Sequence, residues 1–349
     1  MKLVIFFMLL MSIVCSAGIG INQKSKIAAE QDSIHFIIPA NFPKPVYDFK
    51  NNALTSSGFL LGRYLFYDPS LSRDSSIACS NCHQSFAAFA NLDHAVSHGV
   101  DYCLGTRNAP SLFNLAWQKE FMWDGGVKHI EFSPLNAITS HCEMASSLDT
   151  ITKRLQQSPA YQKMFIDAFG NSEINSQKML RALAQFLAML VSANSKYDKH
   201  IRHEPGGNFS DEELAGYELY KQHCSACHSE PFFTDFSYRS NGLDAISEDP
   251  GRDTITNNES DRGKFRVPSL RNVELTSPYM HDGRFATLQE VLQHYNTGVK
   301  RNKNLDSLLQ KNNKLGIALN PSEHNRLIAF LKTLTDTAFI NDKRFQENF

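Results

Sequence analysis

The chain has 349 residues, 42% of them hydrophobic and 20% charged, with a formal net charge of −1. That length admits two domains, and the apolar content is enough for a sizeable core. A charge so close to zero gives no reason to propose nucleic acid as a partner.

The N-terminus reads as a secretory signal over residues 1–17. Lys2 supplies the positive start, Leu3 to Val14 form an apolar run, and Cys15-Ser16-Ala17 ends in a small residue suited to cleavage after Ala17. The run is short for a transmembrane helix. A lipid anchor through Cys15 is the weaker alternative, because Val14 is bulky for such a site. This reading places the mature chain in the periplasm.

Next comes Cys79-Ser80-Asn81-Cys82-His83, and the pattern returns as Cys224-Ser225-Ala226-Cys227-His228. Cys-x-x-Cys-His is the signature of covalent c-type haem attachment. The two thiols form thioethers to one haem, and the His supplies the proximal iron ligand. With 7 Cys and 13 His in the chain, random order would give roughly 0.005 such motifs. A redox Cys pair or half of a zinc site is the blander reading, but neither requires a His directly after the second Cys. Two covalently bound haem c groups are therefore expected, with electron transfer as the minimum function. Of the other cysteines, Cys103 and Cys142 could pair in an oxidising compartment or stay as separate buried thiols.

A second signal is an internal repeat. Arg107 to Gly126 (RNAPSLFNLAWQKEFMWDGG) aligns without gaps on Phe265 to Arg284 (FRVPSLRNVELTSPYMHDGR). Pro110, Ser111, Leu112, Asn114, Met122, Asp124 and Gly125 recur as Pro268, Ser269, Leu270, Asn272, Met280, Asp282 and Gly283. Each copy follows its own Cys-x-x-Cys-His. A duplicated haem domain is the economical reading, and chance recurrence of turn residues is the alternative.

Helical spacing runs from Ser176 to Ala193. Ser210-Asp211-Glu212-Glu213 looks like a helix start leading into Cys224. Thr287 to Tyr295, with Thr287 as N-cap, and Pro321 to Leu334 also read as helices. Residues 241–263, rich in Gly, Asp, Ser and Asn, read as a long loop. The expected fold is all-α: two cytochrome c-like haem domains related by internal duplication. They span residues 18–205 and 206–349, joined at His203-Glu204-Pro205-Gly206-Gly207.

Distal ligands decide what such haems do. An iron with two strong protein ligands mainly transfers electrons, whereas a displaceable sixth ligand lets peroxide bind. His98, beside Gly99, could be a displaceable ligand or a surface residue. Glu143 could move a proton between peroxide oxygens, or simply be solvated. Trp123 could link the haems electronically or pack in the core. For the second haem the candidates are Met280, His281, His294 and Tyr295, and the pattern alone does not choose among them.

Together these motifs resemble the bacterial dihaem cytochrome c peroxidases, including the MauG-like branch. The likeness runs from Leu61-Gly62-Arg63-Tyr64 to Phe330-Leu331-Lys332-Thr333-Leu334. It is carried by CSNCH, SHG, RNAPSLFNLAW, FMWDGG, CEM, CSACH, VPSLRN, LTSPYMHDGRFATLQEV and HYN. The resemblance implies a peroxidatic haem on His83, His98 as its resting distal ligand, Glu143 as acid–base and Trp123 between the haems. It implies an inter-domain calcium ion held by Asn108, Thr276 and Pro278, and an electron-entry haem on His228. Tyr295 falls where the peroxidases place an axial Met and the MauG-like branch a Tyr, with Met280 the fallback. Ser133 and Ala137 depart from the Gln and Pro that the family often carries near the distal pocket.

What the resemblance implies is reduction of hydrogen peroxide with electrons from a small exported donor, a cytochrome c or a copper protein, in a possible homodimer. MauG-like oxidation of a protein or aromatic substrate is the second reading. A non-enzymatic dihaem carrier or redox sensor is the third.

Overall fold

The structure is a computed structural model that describes residues 32, 34–92 and 94–347. The signal segment and Cys15 lie outside the described residues. In chain order the helices are α1 (Ser56–Tyr67), α2 (Cys79–Cys82), α3 (Ser133–Thr139), α4 (Leu148–Gln156), α5 (Pro159–Phe169) and α6 (Ser176–Met189). There follow α7 (Lys196–Ile201), α8 (Asp211–His223), α9 (Asp253–Thr256), α10 (Leu288–Gln293), α11 (Pro321–Lys332) and α12 (Thr337–Ile340). Among the described residues the strands are two antiparallel pairs of two-residue segments. β1 (Tyr238–Arg239) pairs with β2 (Phe265–Arg266), and β3 (Gln310–Lys311) with β4 (Lys314–Leu315). No helix of the described residues is long and apolar enough to cross a membrane.

Two cores organise the helices. In the first, α1 packs on α6 and α5. Leu61, Leu65 and Phe66 of α1 meet Leu183, Phe186 and Leu187 of α6, all almost fully buried. The crossing is tight at Gly62, where a Cβ would lie 2.0 Å from Ala182 O. In the second core α8 packs on α11, bringing Tyr220 against Phe233, Leu327 and Phe330. Again a glycine permits the approach, since a Cβ on Gly216 would lie 1.9 Å from Arg326 O.

Caps set the helix starts. Ser210 accepts from Glu213 N, and Glu213 Oε2 accepts from Ser210 N at 2.6 Å, a closed capping box. Thr287 and Glu290 do the same for α10. That helix ends earlier than its sequence suggested. After Gln293 the chain widens into a single π-helical turn, His294–Gly298, which carries Tyr295. Likewise α6 ends at Met189 and α11 at Lys332, four and two residues inside the expected bounds. Residues 241–263 form a loop broken only by α9 and a 3-10 turn.

The halves interlock. Tyr197 of α7 packs into the second core, while Phe339 and Phe345 return from the C-terminal end into the first. Tyr67 Oη donates to Phe345 O at 2.6 Å, tying this C-terminal strap to α1. Asp198 and Arg271, both fully buried, form a bidentate ion pair with two 2.8 Å contacts. Burial opposes ionisation of Asp198, but the hydrogen bonds and charge of Arg271 outweigh it and hold the carboxyl below its ordinary range.

The two repeat segments adopt the same local backbone. Asn114 and Asn272 both sit at φ 56°, Met122 and Met280 at 69° and 75°, Gly125 and Gly283 at 72° and 68°. The bridge Phe121–Val127 recurs as Tyr279–Phe285. Each asparagine also clamps the chain leaving a core helix. Asn114 bonds Leu190 and Ser192, and Asn272 bonds Leu334 and Asp336.

Candidate active site

Each Cys-x-x-Cys-His is held by the end of a helix. In the first, α2 begins at Cys79, and His83 N donates back to Cys79 O at 3.0 Å. In the second, α8 delivers Cys224, and His228 N donates to Cys224 O at 2.9 Å. None of the four motif cysteines is in a disulfide, so their sulfurs are available for thioether bonds. His83 Nδ1 lies 3.0 Å from Phe89 O, and His228 Nδ1 lies 3.1 Å from both Phe233 O and Pro268 O. Donation to carbonyls fixes the proton on Nδ1 and leaves Nε2 as a ligand. Burial pushes His83 down to about 4 and lowers His228 as well, which keeps both imidazoles neutral.

A cavity of about 800 Å³ opens on the second motif. That is within the range of about 300–1,000 Å³ usual for cofactor sites. Cys224, Cys227, His228, Met280, His281 and Tyr295 all line it, and so do Trp123, Asn108, Thr276 and Pro278. Free thiols, a tautomer-fixed imidazole and a largely apolar wall suit a covalently held haem. Burial pushes the Tyr295 hydroxyl up to about 12. The Asn241 side chain opposes this by hydrogen bonding, and a facing cation would favour the phenolate further. Asn241 Nδ2 donates to Met280 Sδ at 3.4 Å. His294 is occupied elsewhere, its Nε2 3.1 Å from Asn241 O, and the His281 ring stacks on Phe265 at 3.7 Å.

A second cavity, about 460 Å³, opens on the first motif and is lined by Cys82, His94 and His98. Cys79, His83 and Glu143 do not line it. His98 pairs with Leu104 at the base of a short hairpin, and its ring stacks on His94 at 5.1 Å. Cys82 Sγ donates to His98 O at 3.8 Å. Glu143 meets this hairpin through its backbone: Val100 N donates to Glu143 O at 2.8 Å, and a Cβ on Gly99 would lie 2.4 Å from Glu143 Cα. Burial raises the Glu143 carboxyl above its ordinary range. Cys103 and Cys142 form a disulfide, so the open question of their pairing has an answer. Ser133 Oγ donates to Ile130 O at 2.8 Å within its own turn.

The repeats face each other along the wall of the larger cavity. Asn108 N donates to His281 O at 2.7 Å, and Arg266 N donates to Trp123 O at 2.8 Å. Trp123 Nε1 closes onto Asn108 O at 2.8 Å, and Asn108 Nδ2 reaches Ala95 O, beside His94, at 2.9 Å. Arg107 spans the same junction, bonding Asp124 and Asp249 and lying 5.6 Å over the Phe265 ring. Sequence reasoning missed Arg107 and Arg266. The gapless repeat carried the signal, because it makes Arg266 the counterpart of Asn108 and Phe265 that of Arg107.

Two tautomer-fixed histidines, each beside a free thiol pair, define a c-type haem protein. The family model for di-haem cytochrome c peroxidase matches residues 56–206. The methylamine utilization protein MauG of Methylorubrum extorquens is 34% identical over 88% of this chain and 86% of its own length. The cytochrome c551 peroxidase of Nitrosomonas europaea is 34% identical over 79% of each. A solved MauG-like protein associated with microbial copper homeostasis superposes with a TM-score of 0.81 at 30% identity, over 90% of this chain and 99% of that one. The chain belongs to the di-haem cytochrome c peroxidase family, and with it to the haem oxidoreductases of peroxidase type.

Proposed function

We propose that the protein reduces hydrogen peroxide to two waters, taking two protons from solvent and two electrons, one at a time, from a small exported carrier, a cytochrome c or a copper protein. The observation that carries this reading is the contact between the His98 hairpin and the Glu143 turn beside the first motif. A haem at each motif, attached through Cys79 and Cys82 or Cys224 and Cys227, would supply an iron that changes oxidation state, with His83 and His228 as proximal ligands. His98, on the wall of the first cavity, would serve as a displaceable ligand of that iron, and its departure would leave room for peroxide. Glu143 takes a proton from one peroxide oxygen and returns it to the other, and its raised pKa brings it closer to a working proton shuttle. Trp123, bonded to Asn108 within its own repeat and to Arg266 N of the other, passes electrons from the second site to the first.

In this reading residues 18–205 and 206–349 are duplicated haem domains, with residues 1–17 removed on export to the periplasm. Asn108, with Nδ2 committed to Ala95 O, has Oδ1 left for a calcium ion, joined by the carbonyl oxygens of Thr276 and Pro278. A homodimer is part of the same proposal. Tyr295 on the second cavity supports a MauG-like second reading, in which a protein or aromatic substrate is oxidised instead. Steady-state turnover of peroxide with reduced cytochrome c tests the first reading. Turnover is expected, and it should be lost in Glu143→Gln with both haems attached. Peroxide consumption that needs an aromatic substrate and not the cytochrome would favour the second.

A further inference from the structure

The Cys103–Cys142 disulfide joins the two segments that carry His98 and Glu143. His98, Gly99 and Val100 form one side of the hairpin, and Cys103 and Leu104 the return side. Inside it, Gly99 N donates to Cys103 O at 2.9 Å and Cys103 N to Val100 O at 3.2 Å. Across the disulfide, Cys142 directly precedes Glu143 in a turn closed by Glu143 N to Ser140 O at 3.1 Å and Ala145 N to Ser140 O at 2.9 Å. Apart from the sulfur bridge, one backbone hydrogen bond ties the segments directly, from Val100 N to Glu143 O. The residues between them include a repeat segment and α3, so the covalent link closes a loop with a sequence separation of 39. Such a link removes freedom that a lone hydrogen bond cannot.

We propose that Cys103 and Cys142 are positioning residues of the peroxide site: their disulfide holds the hairpin backbone against the Glu143 turn. Departure of His98 is thereby confined to its side chain, and Glu143 keeps its place while the distal side opens. This inference rests on the roles given above to His98 and Glu143. The bridge is half-exposed at both cysteines, so reductant can reach it in the folded protein.

The test uses the folded holoprotein. A water-soluble phosphine cleaves the bridge. The phosphine is oxidised to its oxide with oxygen from water, two electrons enter the S–S bond, and each sulfur gains a proton. The motif cysteines, as thioethers, do not react. Iodoacetamide then caps both thiols, and ferricyanide returns the haems to the ferric state. A Cys103→Ser/Cys142→Ser variant is examined in parallel.

Electron paramagnetic resonance should show the first-site haem split into several ligation states while the second-site haem is unchanged. Peroxide turnover should fall between about ten- and a hundredfold, as a misplaced proton carrier predicts. Unchanged spectra and turnover in the capped protein would overturn the proposal, even if the double variant failed to fold. A Glu143→Gln variant with the bridge intact separates the two readings. If it retains full turnover, the assignment of the distal site fails. If it loses turnover while the capped protein keeps its own, only the positioning role fails.

Discussion

Asn108 and Arg266 hold the same place in the two repeats, and each donates its backbone N–H to the residue that stands in the other's copy at the Trp123/His281 position. The contacts are Asn108 N to His281 O at 2.7 Å and Arg266 N to Trp123 O at 2.8 Å. Such reciprocity is the mark of a two-fold, self-complementary interface, here formed within one chain. It places an aromatic residue of each copy at the junction, but only copy one supplies an indole. Trp123→Phe should therefore slow electron transfer between the sites while leaving both haems attached. Stopped-flow reduction from one side, read at the absorption of each haem, checks this. An unchanged rate would remove Trp123 from the route.

Glu143 sits in a place where burial disfavours its charge. A raised pKa means the carboxylate appears at a higher pH than an ordinary glutamate would allow. If the carboxylate is the form that takes the first proton, peroxide turnover should rise with pH along a limb above about pH 4.3, the usual glutamate value. Glu143→Gln should abolish that limb and lower kcat by about 10²–10⁴. The pH profile of kcat for both proteins is the measurement.

Tyr295 and Met280 share a cavity wall with His228. Tyr295→Phe should change the spectrum of one haem and raise its potential, because a phenolate favours ferric iron more than a thioether does. Met280→Leu should leave that spectrum as it is. The reverse pattern in a redox titration would make Met280 the ligand.

Calcium chelation should slow inter-site electron transfer, because Asn108 belongs both to the candidate ion site and to the reciprocal contact. Stopped-flow kinetics with and without a chelator tests this, and sedimentation reports on the dimer. Full recovery on adding calcium, and not magnesium, is expected. Kinetics indifferent to the chelator would count against the ion.

Asp198→Asn should destabilise the protein by about 3–5 kcal/mol, because it leaves the Arg271 charge buried without its partner. A paired replacement of both residues by apolar ones should cost much less. Denaturant midpoints of the two variants compare them directly.

What the sequence disclosed followed local chemistry. Ser210 with Glu213 and Thr287 with Glu290 announce helix starts, since capping uses neighbours only. The Cys-x-x-Cys-His motifs and the repeat were equally plain. Long-range facts were not. The π-helical turn that carries Tyr295 has no local signature, and Cys103 and Cys142 have a spacing that fits pairing no better than it fits two free thiols. The Asp198–Arg271 pair joins residues on either side of the linker that sequence reasoning took as a boundary. Trp123 was expected between the sites, but its hydrogen bond to Asn108 O required the fold to appear.

The strap that carries Phe339 and Phe345 into the first core has a bearing on biogenesis. Those side chains leave the ribosome after everything else that surrounds Phe59, Phe66 and Phe186. Until they arrive, the nascent N-terminal half has an unfinished, greasy seam beside α1. The apparatus that fastens haem to Cys79 and Cys82 would then meet a chain still open, and docking of this strap would shut it. A protein ending at Asp336 should accordingly bind hydrophobic dyes and lose its first haem centre to proteolysis, while the second survives.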